Sequence, residues 1–390
     1  MEHSIAVQAG TFTVLLGAAL AISIGAERVR VPAAVALVAF GVVAGTLWHV
    51  ALPFAFGPAL LFVFLPPLVF EAAWNLDLRE LAGHAVRVTM LAGPGTLIAA
   101  VALAAAVSGA GALPFAPALV LGAIVSATDP IAGVAVFRAA GVPAGLRTLV
   151  EAESLANDGV AVALYGIALT MAMGGAVSWS GSAAGAVVAI AGGIAAGAAC
   201  AVPMWLAVSF SDASEYEVTA TVALAYAAYL IADVLHCSGI FATAAAAIAL
   251  RRLLARRSHM TNRNDVDVFW NAAAYMTNAV LFLATGLLIS PRRVLHEPLL
   301  VALTLLVVLA ARAIMASLVV RDTRGRVTVF LAGMRGALPL ALALALPEGL
   351  PARPQIVDAV FATVLVTLVV QGIPLKQVVA RLYPPSREAQ

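Results

Sequence analysis

Residues 153–159 read Glu-Ser-Leu-Ala-Asn-Asp-Gly, so two carboxylates, a hydroxyl and an amide sit within one short stretch of a strongly apolar chain. The run VAVALYGIALTMAM follows at once, which places 153–158 in the first turns or upper half of a helix. At about 3.6 residues per turn, Ser154 and Asp158 stack on one helical face, and Glu153 and Asn157 on another displaced by about 100°. Oxygen ligands of this kind suit small hard cations. Two adjacent faces also allow one carboxylate to be neutralised by a structural partner while the other stays free to take up a proton. A polar cytoplasmic loop is the plain alternative, and the apolar run that begins immediately afterwards argues against it.

The surroundings of this stretch define the fold class. Of 390 residues, 63% are hydrophobic and 11% charged, against about 45–50% and about 25% in soluble domains. Apolar runs of the length that spans a bilayer, about 20 residues, follow one another along the sequence. Thirteen are read, at roughly 10–26, 32–50, 57–75, 87–108, 115–138, 146–171, 183–209, 216–233, 238–254, 267–290, 297–319, 326–347 and 355–375. The eighth and ninth are divided only by the polar residues Asp233 and His236 and their neighbours; merging them gives twelve. Charge decides between the counts. With thirteen spans and the N-terminus outside, 17 of the 22 Lys and Arg residues fall on the cytoplasmic side, from Arg28 to Arg387. Only Arg292, Arg293 and Arg353 fall outside, as the positive-inside rule requires. The acidic loop with Asp212, Glu215 and Glu217 departs from this pattern, and acidic residues contribute little to orientation.

The expected protein is therefore an all-α, polytopic membrane protein with about 13 transmembrane helices, N-out and C-in, of multi-pass cell-membrane type. No soluble domain is expected: the tail after the last span is about 15 residues, too short for a core of its own. No basic n-region marks a cleavable leader. No basic run with interleaved aromatics points to nucleic acid. Cys200 and Cys237 lie far apart in apolar stretches, which speaks against a disulfide or a cysteine metal site. No G-x-x-x-x-G-K-[ST] is present, so transport is expected to run on ion gradients without a cofactor.

Ionisable residues inside spans are costly, about 2.5–3.5 kcal/mol each on insertion scales, and so mark function. Six stand out: Glu71, Asp129, Glu153, Asp158, Arg312 and Arg335. Glu71 follows Pro66 and Pro67, which are expected to disturb the third span; the bland reading makes it a snorkelling acid. Thr128 and Asp129 precede Pro130 and Gly133 in the fifth span, a break that exposes half-helix ends suited to ions; the bland reading is a kink capped by Asp129. Arg335 lies between Gly333 and Gly336, ahead of Pro339, in a second interrupted span, the twelfth. As a permanent cation it needs an acid, with Glu153 or Asp129 nearest in kind; the bland reading is a snorkelling arginine. Arg312 is placed less well. Two Pro/Gly-interrupted spans, one in each half, point to a transporter built of inverted repeats whose broken helices cross at the midplane.

The four segments FLPPLVFEAAWNLD, SATDPIAG, VEAESLANDGVAVALY and GMRGALPLALALALP together resemble the monovalent cation:proton antiporter family of the NhaP and NHE type. The resemblance implies a core ion-transport bundle, about 87–171 and 297–375, and a dimerisation domain, about 10–75 and 183–290, in a homodimer. It implies exchange of Na+ or Li+ for H+, with K+/H+ antiport or another ion-coupled solute as the alternative cargo. Carried onto this sequence, Asp158 binds cation or proton, and Thr128, Asp129 and Ser154 complete the Na+ shell. Glu71 approaches from the third span, Asn157 holds the broken helices, and Glu153 pairs with Arg335. Asparagine before the aspartate resembles the electroneutral branch. The larger members carry a long C-terminal domain, which departs from the short tail here.

Two other classes are weighed. An organic-anion carrier calls for a cationic or aromatic-lined site, whereas oxygen ligands dominate. An intramembrane hydrolase calls for a nucleophile motif or H-E-x-x-H, and neither is present. The chain is read as a carrier, not an enzyme.

Overall fold

In hydrocarbon, a backbone amide has no water to bond, so a spanning segment must close its own hydrogen bonds as a helix. A computed structural model describes residues 2–29, 31–48, 59–129, 136–138, 140–210, 213–256, 263–289 and 291–384, and the regular structure among them is helical throughout. Among the described residues, eight helices are long and apolar enough to cross a membrane, and Ala33–Leu47, Leu61–Asn75 and Phe115–Ser126 are shorter apolar helices.

The first helices are α1 (Glu2–Arg28), α2 (Ala33–Trp48) and α3 (Ala59–Asn75). Next, α4 (Leu78–Met90) runs through a π-turn at Leu91–Gly95, which holds Pro94, into α5 (Thr96–Gly109). The fourth segment thus starts earlier than the apolar run suggests, because Asp77 caps α4 by accepting from the Arg79 and Glu80 amides. The connection from α6 (Phe115–Ser126) to α7 (Ala144–Ala172) carries the fifth-segment break. After it come α8 (Trp179–Val208), α9 (Ser214–Val234), α10 (Gly239–Arg256) and α11 (Arg263–Leu288). α9 and α10 are separate helices, parted at Leu235–Ser238 where His236 has φ 55°. The chain finishes with α12 (Pro291–His296), α13 (Pro298–Val319), α14 (Thr323–Leu331), α15 (Ala337–Leu344), α16 (Arg353–Thr367), a π-turn at Leu368–Gly372 and α17 (Ile373–Leu382).

Helix packing sorts the chain in two. α1, α2 and α3 pack with α8 to α11, whereas α4 to α7 pack with α13, α15 and α16. Within the first set, Phe70 stacks on Trp270 at 4.4 Å, and the Trp74 indole donates to Asp267 at 2.7 Å. Arg251 of α10 closes the end of α3 by donating to the Trp74 and Leu76 carbonyls.

Pro66 and Pro67 do not interrupt α3, contrary to the expectation from sequence. Pro67 has no N–H for the carbonyl of Val63, one turn back. The Tyr226 hydroxyl, from α9, donates to that carbonyl at 3.2 Å instead. A partner on another helix thus satisfies the group that the proline leaves free.

Candidate ion site

Residues 153–159 lie in the third to fifth turns of α7, deeper in the helix than the apolar run alone suggests. Here they face two chain interruptions. The fifth segment leaves helical geometry at Ala127, whose ψ is 140°, and Thr128 and Asp129 continue without regular structure. Pro130 and Gly133 lie outside the described residues. The twelfth segment is divided into α14 and α15, with Gly333 and Gly336 between them and Pro339 in the first turn of α15, where a missing N–H is tolerated. The interruptions touch: the Asp129 amide donates to the Met334 carbonyl at 2.9 Å.

Half-helices that end inside a protein leave carbonyls without intrahelical partners and carry partial negative charge there. Two buried arginines answer both needs. Arg335 donates from Nη1 to the carbonyls of Ser126 at 2.6 Å and Ala127 at 2.9 Å, closing α6. Arg312 donates from Nε to the Val329 carbonyl at 3.1 Å, closing α14. The Gln371 side chain adds a bond to the Phe330 carbonyl at 2.8 Å. The Arg335 backbone amide is itself held by the Thr367 hydroxyl at 3.2 Å.

The ion pair is not the one expected. Glu153 pairs with Arg312, whose Nη1 lies 2.9 Å from Oε1, with side chains 4% and 6% exposed. Arg335 is occupied by the α6 carbonyls. Its Nη1 carries two N–H donors, and the broken end of α6 supplies an acceptor for each. Gly333 makes the approach of Arg312 possible, since a Cβ there would lie 2.5 Å from Arg312 Nε.

Thr128 is knotted to α7. Its hydroxyl donates to Ser154 Oγ at 3.1 Å and accepts from Asn157 Nδ2 at 2.8 Å, while Ser154 Oγ donates to the Thr128 carbonyl. Asn157 Nδ2 also reaches Glu153 Oε1 at 3.1 Å. The amide therefore joins the Glu153–Arg312 pair to the non-helical segment at Thr128.

Asp158 lies on the other side of the knot. A cavity of about 40 Å³ is lined by Thr128, Asp129, Ser154 and Asp158, closed by Leu65, Leu68 and Val69 of α3, Ala337 and Leu338 of α15, and reached by Asn278 of α11. Asp158 Oδ1 is buried and has no hydrogen-bond partner among the described residues. A buried acceptor without a partner is costly, and a cation or a proton supplies what this one lacks. Asp129 packs on Gly336, where a Cβ would come within 2.1 Å of the aspartate Oδ2. The carboxylate thereby sits at the N-terminus of α15, the end that favours negative charge.

Asp129 and Asn278 also line a second, larger cavity of about 500 Å³, walled by α1, α2, α11 and the α16–α17 region. Glu27 and Lys376, both exposed, stand in its wall. Glu71 lines this outer vestibule and not the small cavity, and it accepts from Asn75 at 2.7 Å. The structure thus brings Thr128, Asp129, Ser154 and Asp158 around one space, sets Glu71 in the approach, and puts Glu153, Asn157, Arg312 and Arg335 behind it. Asn278 was not singled out from sequence. Its signal is positional: Asn271, Tyr275 and Asn278 recur at i, i+4 and i+7 and share one face of α11.

The sequence profile of the family described as "Sodium/hydrogen exchanger, transmembrane" matches residues 14–381. The chain is 31% identical over 338 residues to the Na(+)/H(+) antiporter ApNhaP of Aphanothece halophytica, covering 83% of this chain and 64% of that protein. It thus spans less than two thirds of that relative's length. It is 30% identical over 390 residues to the Na(+)/H(+) antiporter NhaH of Halobacillus dabanensis, covering 93% of this chain and 96% of that protein. Among solved structures it is similar to the sodium proton antiporter MjNhaP1 from Methanocaldococcus jannaschii, with a TM-score of 0.79 over 94% of this chain and 99% of that chain. Sequence identity to that structure is 18%, so the likeness is one of fold.

Proposed function

The chain belongs to the transmembrane sodium/hydrogen exchanger family, and from that premise we propose that it is a secondary antiporter, a carrier and not an enzyme, exchanging Na+ or Li+ for H+ across a cell membrane. The observation that carries the reading is the small cavity in which Asp158 Oδ1 is buried without a partner beside the oxygens of Thr128, Asp129 and Ser154. Its size, about 40 Å³, suits a partly dehydrated ion and not an organic solute. Its polar lining is hydroxyl and carboxylate with one amide, the hard set that sodium and lithium favour.

Exchange follows from competition. A proton and a monovalent cation each neutralise one carboxylate charge, so occupancy of Asp158 by one excludes the other. A site left charged is costly to carry through a low-dielectric interior. Only the loaded site then crosses, and one gradient drives the other. With Asp158 as the single exchanging group, one proton moves per cation and exchange is electroneutral.

In the membrane, the chain is read as thirteen crossings, N-out and C-in, with the fifth and twelfth segments as crossing broken helices of an inverted repeat. The helices from 78 to 172 and from 298 to 382 form the ion-transport bundle. Those from 2 to 75 and from 179 to 288 form the dimer-building part of a homodimer.

Proton flux in proteoliposomes, measured against Li+, Na+ and K+ gradients with and without a membrane potential, tests the proposal. Sodium- or lithium-driven flux that is indifferent to the potential is the expected outcome. Flux with potassium alone assigns K+/H+ antiport, and no cation dependence ends the antiport reading.

A further inference from the structure

α11 carries three polar side chains down one face, and they lead inward. Asn271 is exposed, Tyr275 is 39% exposed, and Asn278 is half-buried. All three line the 500 Å³ vestibule. At about 1.5 Å rise per residue the track descends roughly 10 Å along the helix. It ends at the mouth of the small cavity, because Asn278 and Asp129 are the two residues that line both spaces. The polar face is otherwise unexplained. Beyond Asn278, the helix continues as AVLFLATGLL, and the vestibule walls around the track include Leu37, Phe282 and Leu375.

Asn278 Oδ1 is buried and has no hydrogen-bond partner among the described residues. An amide oxygen in this condition costs free energy on an apolar helix unless something pairs with it. It also faces the space occupied by the exchanging carboxylate. A cation moving from the vestibule to Asp158 passes between the Asp129 carboxylate and this amide. A neutral carbonyl oxygen can replace one water of hydration there without adding a charge that would trap the ion.

We infer that Asn278 is a transient cation ligand, contributed by α11, that receives the ion from the vestibule and hands it to Asp158. The inference rests on the antiport reading above and assigns to it a residue from outside the α6–α7 site. The placement has a specific consequence. Thr128, Asp129, Ser154 and Asp158 come from α6, α7 and the break between them, whereas α11 packs mainly with α1, α2 and α3 and also touches α15. With the site carried past α11 during exchange, the Asn278 contact exists only when the site faces this vestibule. Its loss weakens cation binding from one side of the membrane and not from the other, a signature that general damage to the fold does not produce.

The test is cation-dependent proton flux in proteoliposomes of defined orientation, with KM taken separately from the vestibule face and from the opposite face. Asn278→Leu and Asn278→Ala remove the oxygen, and Asn278→Thr restores one. Loss of one ligand contact is expected to raise the vestibule-side KM by about fivefold to tenfold, with the opposite-face KM unchanged and Asn278→Thr close to wild type. The alanine variant carries the test if leucine prevents folding. A KM unchanged in both oxygen-free variants, or raised equally on both faces, overturns the inference while leaving antiport intact. A wild-type protein that moves no protons in response to any cation overturns the antiport reading itself, and this inference with it.

Discussion

Arg312 and Glu153, 159 residues apart, form a buried ion pair with 2.9 Å between Nη1 and Oε1. Removing one partner of such a pair strands the other charge and costs about 3–5 kcal/mol. Arg312→Ala is accordingly expected to lower the melting temperature of the purified protein sharply, and Glu153→Gln in the same chain to recover part of the loss. Arg335→Ala leaves the Ser126 and Ala127 carbonyls open, at about 1–3 kcal/mol for each stranded acceptor. No second change at Glu153 rescues it. Rescue of Arg335→Ala by Glu153→Gln, seen in thermal melts, would show the pairing assigned here to be wrong.

Asp158→Asn keeps the shape of the side chain and removes the titrating group. The variant is expected to fold, to melt at or near the wild-type temperature, since a buried carboxylate with one unpartnered oxygen has been replaced by an amide, and to show no cation-driven proton flux. Retained exchange at wild-type rates would move the exchanging role elsewhere.

Competition fixes the sign of the pH dependence. As pH falls, protons occupy the Asp158 carboxylate and more cation is needed to displace them. The apparent KM for the cation is expected to rise by up to about tenfold per pH unit on the acid side, the limit for one competing proton, while saturating cation restores the rate. A KM that does not change with pH would contradict a shared site.

Gly336 is where the Asp129 carboxylate rests on backbone. A Cβ there lies 2.1 Å from both Asp129 Cβ and Oδ2, so Gly336→Ala forces the two interruptions apart. Overpacking of this kind costs about 1–3 kcal/mol or more, and exchange is expected to fall with it. Gly166→Ala, on α7 with nothing within 4 Å of the added carbon, serves as the control. Equal activity and melting temperature in the two variants would remove the close approach from the account.

Tyr226→Phe deletes the hydroxyl that serves the Val63 carbonyl beside Pro67. The loss is expected to be modest, about 0.5–1.5 kcal/mol, and confined to stability. An altered cation KM in this variant would mean that α3 transmits strain to the small cavity.

Much of the site can be read from sequence because membranes penalise polar atoms. Any hydroxyl, amide or carboxylate in an apolar run has a reason to be there, and helical spacing sorts Ser154 and Asp158 from Glu153 and Asn157. Gly333 and Gly336 announce the twelfth-segment break in the same way. Pairing is less accessible. Arg312 on α13 and Arg335 in the break between α14 and α15 both compete for Glu153 and both bond a broken helix end, so the sequence alone does not choose between them. The sequence around Pro66 and Pro67 likewise contains no trace of Tyr226, which sits 163 positions from Val63. Asn278 is a single amide whose meaning depends on the face it shares with Asn271 and Tyr275 and on the two cavities that meet beside it.

The arginines that close the half-helices also set an electrical balance. Asp129, Glu153 and Asp158 bring three formal negative charges to the buried cluster, and Arg312 and Arg335 bring two positive ones. The empty cluster is one charge short of neutral. A single monovalent occupant, proton or metal ion, closes that gap, and a divalent ion overshoots it. The capping of two broken helices and the valence of the cargo are thus one design problem: each guanidinium spent on a stranded carbonyl also counts toward how much charge the site will accept.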